Sequence, residues 1–217
     1  MQALLIGATG ATGKDLLDLL LQDNSFDQVT VFVRRDLKLV HAKLKVHVID
    51  FDQTEQWAPL VKGDVLFSCL GTTLKAAGSK DAQWKIDYEY QYQFARVARE
   101  NQVKHYVLVS AGFASSRSLF FYSKMKGQLE EAVTALSFPK LTIFNPPLLI
   151  RKDSDRSAEV ASRKILHVLN TLGLFRSQHP LPTEILAQAM INAAKSQASG
   201  IRKINGKAIW EYAGVSQ

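Results

Sequence analysis

The stretch GATGATG, residues 7–13, sets three glycines at intervals of three directly behind a short apolar run (residues 3–6) and directly ahead of a leucine-rich segment. That order suits a buried strand that turns sharply into a helix. Glycines at such a corner permit the tight turn and let backbone amides approach a ligand closely. The spacing is G-x-x-G-x-x-G rather than G-x-G-x-x-G. A phosphate loop of the G-x-x-x-x-G-K-[ST] kind is ruled out, because position 8 is alanine and Gly13-Lys14 is followed by Asp15.

Beyond the corner, Leu16, Leu17, Leu19, Leu20 and Leu21 predict a helix with a broad buried face. VTVFV (29–33), KVHVI (45–49), DVLFSCLG (64–71), HYVLVSAG (105–112) and KLTIFNPP (140–147) read as strands, with helical patterns over 81–101 and 123–136. Residues 155–172 and 183–197 look helical, and 201–212 read as short strand-like pieces. Alternation of this kind calls for βαβ units, so the expected fold is α/β, a Rossmann-type doubly wound parallel sheet. With 217 residues and no low-complexity linker, one domain over 1–217 is the simplest account. Residues 151–182 break the alternation and are expected to form a small C-terminal lobe, an insertion on the substrate side.

Charge and composition narrow the partners. The net charge is +7, and residues 151–217 hold 10 basic against 5 acidic side chains. The basic residues are scattered rather than interleaved with stacking aromatics, which favours a solvated surface over nucleic acid. The run 16–21 is interrupted by Asp18 and too short for a bilayer, and the opening residues lack a basic leader, so no membrane role is expected. A lone cysteine, Cys69, excludes an intrachain disulfide and suits the cytoplasm. The five histidines form no metal-binding spacing, and no G-x-S-x-G elbow occurs. Tyr88, Tyr90, Tyr92 and Phe94 mix periods and suit core packing or a helix–helix dimer surface.

In a βαβ fold the first strand-to-helix corner receives the pyrophosphate of a dinucleotide. Gly7, Gly10 and Gly13 stand there; Thr9, Ala11 and Thr12 are small enough to admit a phosphate, and either threonine adds a hydroxyl donor. Arg34-Arg35 follows the second strand, where a guanidinium pairs with the ribose 2′-phosphate, so NADP(H) is expected over NAD(H). Asp36 beside them is the one opposing feature.

The glycine loop at 7–13, DVLFSCLGTT (64–73), KIDYEY (85–90), FFYSKMKGQLEEAV (120–133) and INGKAIWEYAG (204–214) together resemble the short-chain dehydrogenase/reductase superfamily. More narrowly, they resemble its atypical branch of Tat-interactive oxidoreductase-like proteins, over nearly the whole chain. That resemblance implies an NADP-dependent oxidoreductase acting on a small carbonyl or alcohol. Tyr122 would be the general acid/base, Lys126 would assist it and hold the nicotinamide ribose, and Ser110 would bind the carbonyl. Lys126, with an oxidised nicotinamide, would lower the phenol toward neutrality. Ser115 or Ser116 could stand in for Ser110. The resemblance further implies cofactor contacts from Asp50-Phe51, from Cys69, Leu70, Gly71 and Thr72, and from the backbone of Pro146 to Leu148. Two other readings stay open: an NADP-binding regulator or scaffold with little turnover, and a nucleotide-sugar epimerase-like enzyme, for which the chain is short; a homodimer and a protein partner both stay open as partners.

Overall fold

The computed structural model describes residues 1–150 and 180–215. The expected helix over 155–172, and nearly all of the lobe expected over 151–182, lie outside the described residues. The strands β1 (Gln2–Ile6), β2 (Gln28–Val33), β3 (Leu44–Val48), β4 (Val65–Ser68), β5 (His105–Val109) and β6 (Lys140–Asn145) join β9 (Gly200–Asn205) in one sheet. Its order is β3-β2-β1-β4-β5-β6-β9, parallel throughout. Two short strands, β7 (Leu149–Ile150) and β8 (Leu181–Pro182), pair separately.

The apolar strands are continuous because both faces are covered. Along β1, Ala3 and Leu5 point to one core, whereas Leu4 and Ile6 point to the other. The first core packs under α1 (Ala11–Gln22), α7 (Thr183–Lys195) and α8 (Lys207–Ala213). The second lies under α5 (Tyr90–Glu100) and α6 (Phe121–Ala135), where Trp57 stacks on Phe94 with ring centroids 4.0 Å apart. Short turns α2 (Thr54–Trp57) and α3 (Leu74–Ala77) complete the connections. Helix α4 (Lys80–Trp84) runs through a π turn (Lys85–Glu89) into α5.

The chain end departs from the expected strand-like pieces over 201–212. β9 stops at Asn205, Gly206 turns with φ of +46°, and α8 follows. Seven residues are too few to hold a helix by themselves. Burial of Ile209 and Ala213, and the 2.8 Å hydrogen bond from Asn192 Nδ2 to Tyr212 O, fasten α8 to α7.

Candidate active site

β1 leads toward β2 and β4 toward β5, so the crevice at their C-terminal ends is the point where the strand order reverses, the place where open α/β sheets take ligands. The Cys69 N–H donates to Ile6 O at 2.9 Å and ties the loop after β4 to the end of β1. Gly7 has φ of +85°, and a Cβ on it would stand 2.4 Å from the Cys69 carbonyl carbon. A Cβ on Gly13 would stand 2.0 Å from Gly7 O. In both cases the obstacle is backbone, which cannot swing aside. Gly10 is the exposed N-cap of α1, with no side-chain cap and no acidic residue in the first turn. The first-turn amides and the positive end of the helix dipole are therefore left for an anion. A pyrophosphate fits this cradle.

From Gly10, Ala11 and Thr12 a cleft of about 900 Å³ runs past Cys69, Leu70, Gly71 and Thr72 to Ser110, Tyr122, Lys126, Pro146 and Leu148. The expected residues at the first corner, after β4, on α6 and after β6 thus share one cavity. Gly7 and Gly13 shape the corner from behind, and Thr9 is exposed at its tip. Arg34 and Arg35 are exposed just past β2, with no ion-pair partner among the described residues. Phe51 does not line the cleft; its ring packs in the core against Tyr90 and Phe94, with centroids 5.1 and 5.4 Å away. Asp50 Oδ1 accepts the Asp52 N–H at 2.9 Å. Burial pushes the Cys69 thiol up to about 12, so it carries no thiolate at neutral pH.

Tyr122 and Lys126 lie one turn apart on α6, on one face of the helix. The following residue, Gly127, fixes that helix closely: a Cβ there would lie 2.2 Å from Ser115 C and Ser116 N. The Ser115 N–H also donates to Ser123 O at 3.0 Å. Lys126 is buried, and burial lowers its pKa, while the Asp87 and Glu130 carboxylates pull the other way. Tyr122 keeps 42% of its surface exposed at the cleft. Burial first, then the Asp87 charge, push its pKa up to about 12. The lowering expected from Lys126 belongs to the site with an oxidised nicotinamide in it; in the protein without the cofactor, burial and Asp87 set the direction.

Asp87 is a functional candidate that the sequence reading did not single out. It is fully buried, and its Oδ1 accepts the Thr72 N–H at 2.9 Å. Gln83 Nε2 bonds both Asp87 Oδ2, at 3.3 Å, and Thr72 O, at 3.1 Å. Gln91 Nε2 donates to Asp87 O, and Ser68 Oγ donates to Gln91 Oε1. Burial raises the Asp87 carboxyl, and Lys126 opposes that rise. The visible signal was the polar stripe Gln83, Asp87, Gln91 at i, i+4, i+8, all buried on a helix whose buried side should be apolar. The stripe holds the loop after β4 against the cleft.

Ser110 lines the cleft, but its Oγ donates to Glu130 Oε1 at 2.5 Å. Glu130 is buried and also accepts Asn145 Nδ2 at 2.6 Å and Lys203 Nζ at 2.7 Å. A hydroxyl has one proton, and here a carboxylate takes it rather than a carbonyl in the cleft. Ser115 and Ser116 do not line the cavity, and Ser116 Oγ donates to Glu131. Ser123 does line it. Among the described residues no group of His, Cys, Asp and Glu is placed to hold a metal ion, and no helix is long and apolar enough to cross a membrane.

A family model described as NAD(P)H-binding matches residues 7–166. Protein HTATIP2 of Rattus norvegicus is 34% identical over 211 residues, which cover 94% of this chain and 86% of that protein. The chain belongs to the atypical short-chain dehydrogenase/reductases. A second relative of this family, the mitochondrial protein FMP52 of Meyerozyma guilliermondii, is 35% identical over 200 residues, 89% of this chain and 85% of its own. Among solved structures, MoeE5 in complex with UDP-glucose and NAD superposes with a TM-score of 0.73 at 14% identity, over 94% of this chain and 75% of that one. A short-chain dehydrogenase/reductase superfamily protein from Agrobacterium tumefaciens with bound NAD gives 0.71 at 14% identity, over 95% and 77%. These likenesses carry the fold. The fungal relatives overturn the expected cytoplasmic location, since they are named mitochondrial. A lone cysteine reports a reducing environment, not one particular compartment.

Proposed function

We propose that this atypical short-chain dehydrogenase/reductase is an NADP-dependent oxidoreductase that reduces a small carbonyl, or oxidises the matching alcohol, with Tyr122 as general acid/base. The observation that carries the reading is the continuity of one cleft from the uncapped start of α1 to Tyr122 and Lys126. The α1 amides would hold the pyrophosphate, and the backbone of Cys69 to Thr72 would follow the adenosine ribose. A nicotinamide bound at the far end supplies or accepts the hydride. The substrate carbonyl then gains its proton from the Tyr122 hydroxyl, and Lys126 orients the ribose and stabilises the phenolate left behind.

A phenol at about 12 is protonated throughout the neutral range, so it is ready as an acid and scarce as a base. Carbonyl reduction should therefore hold nearly constant from pH 6 to 9, whereas alcohol oxidation should climb by roughly tenfold per pH unit, as the phenolate fraction does. Initial rates in both directions across that range test this. An oxidation rate that levels off near pH 7 would mean that the lysine and bound cofactor, not burial, govern the tyrosine.

Arg34 and Arg35, exposed and unpaired among the described residues, support NADP over NAD. In Arg34→Ala, NADPH affinity should fall by about tenfold or more, the worth of a charge-assisted phosphate contact, while NADH changes less than twofold. Equal losses for both cofactors would refute the 2′-phosphate assignment.

A second reading, an NADP-binding regulator with little turnover, draws support from the Ser110 proton, which is committed to Glu130. NADPH oxidation against a panel of aldehydes and ketones separates the two readings: binding without turnover favours the regulator.

A further inference from the structure

The substrate end of the cleft has a chemistry of its own. Among the described residues lining the whole cavity, Lys126 is the one charged side chain, and the nicotinamide ribose claims it in the reading above. Together with Tyr122, the lining from the ends of β5 and β6 includes the apolar side chains of Val109, Phe113, Pro147, Leu148 and Leu149. Of the hydroxyls here, Ser110 already donates to Glu130 and Thr183 is buried, so Ser123, beside Tyr122 on α6, is the remaining one among the described residues. The apolar surface does not stop at the wall. Exposed large hydrophobics occur in both segments that supply these walls: Phe113, Leu119 (99% exposed) and Phe120 (78%) in one, Leu148 and Ile150 in the other. The segments abut, since a Cβ on Gly112 would lie 3.0 Å from Pro146 O and 3.6 Å from Pro147 Cα.

Among the described residues, a sugar, a phosphate or a dicarboxylate brought here would lose water from its polar groups and meet few partners and no cation besides Lys126, and each group left unpaired costs about 1–3 kcal/mol. An alkyl or aryl tail gains from the same walls. We infer that the substrates are lipophilic, uncharged aldehydes or ketones, whose one polar atom meets Tyr122 and whose tail lies along Phe113 and Leu148 toward the exposed apolar rim. This rests on the oxidoreductase reading for the reaction: the carbonyl carbon takes the hydride, its oxygen takes the Tyr122 proton, and the carbonyl becomes an alcohol as NADPH becomes NADP⁺.

The test uses straight-chain primary amides from butanamide to decanamide, unreactive mimics of the carbonyl, titrated calorimetrically into the NADPH-saturated protein and into the protein alone. Affinity should tighten about three- to fourfold per added methylene, the value of burying one CH₂, until the tail leaves the apolar rim. Adipamic acid, a six-carbon amide with a terminal carboxylate, should bind at least about tenfold more weakly than hexanamide, because a charge would be desolvated unpaired. Phe113→Asp should flatten the chain-length gradient, weakening decanamide far more than butanamide. Affinities independent of length, no amide binding at any length, or adipamic acid binding as well as hexanamide would each overturn the inference. The oxidoreductase reading would survive any of these if aldehydes are turned over. Conversely, a full gradient with no NADPH oxidation by any aldehyde or ketone would sink the oxidoreductase reading and leave the apolar site standing.

Discussion

Tyr122→Phe should lose about 10²- to 10⁴-fold in kcat while NADPH affinity stays within twofold, because the substitution removes one acidic hydroxyl and keeps the ring. The asymmetry matters as much as the size. The dinucleotide is expected to be gripped at the other end of the cleft, at the start of α1, and Tyr122 touches it, if at all, beside the nicotinamide. Steady-state rates with an alkanal, together with NADPH fluorescence titration, measure both quantities on one preparation. Turnover that survives in the phenylalanine variant would remove Tyr122 from the chemistry. A collapse of cofactor affinity would instead mean that the tyrosine positions the dinucleotide.

The second large effect belongs to the corner. Gly13→Ala places a methyl where Gly7 O already lies 2.0 Å away, and Gly7→Ala adds a left-handed φ of +85° to a 2.4 Å approach to Cys69 C. Overpacking of this kind costs about 1–3 kcal/mol, and the left-handed conformation adds about 1–2 kcal/mol for a residue with a Cβ. For a chain of this size each kcal/mol moves the melting temperature by about 2–4 °C. Gly7→Ala should therefore melt roughly 4–20 °C lower. In both variants NADPH affinity should drop by at least about tenfold, because the amides that meet the pyrophosphate are displaced with the loop. Gly10→Ala is the internal control. Its Cβ would meet Gly7 O at 3.3 Å and Cys69 O at 3.8 Å, so the loss of stability should be far smaller than in Gly7→Ala or Gly13→Ala even where the cofactor is crowded. Thermal melts with and without NADPH separate the two effects, and an unchanged melting temperature in Gly7→Ala would contradict the geometry of the corner.

The elements legible in the sequence were those whose physics is local or periodic. Strands buried on both faces need unbroken apolar runs, and VTVFV and DVLFS advertise them. The glycine corner was legible because few residue types fit it. The Tyr122–Lys126 spacing read correctly as one face of one helix. What stayed hidden depends on distant partners. Nothing near Ser110 in sequence announces Glu130, twenty residues on, or Lys203 on the far strand, yet these decide where its proton goes. The raised pKa of Tyr122 likewise follows from burial by the assembled cleft and from the charge of Asp87 on another helix, which no spacing along α6 reveals. Phe51, read as a neighbour of the adenine, packs in the core because Tyr90 and Phe94 come to it from α5, a contact that its own neighbours in sequence do not announce. Helix α8 was missed for a related reason: seven residues gain their helicity from α7, not from themselves.

A structure of the protein crystallised with NADPH tests the central claim most directly. The account predicts the pyrophosphate oxygens within hydrogen-bonding distance of the Ala11 and Thr12 amides, the 2′-phosphate beside Arg34 and Arg35, and the nicotinamide between Tyr122 and Pro146. Density for the dinucleotide elsewhere on the molecule, or a nicotinamide turned away from Tyr122, would contradict it.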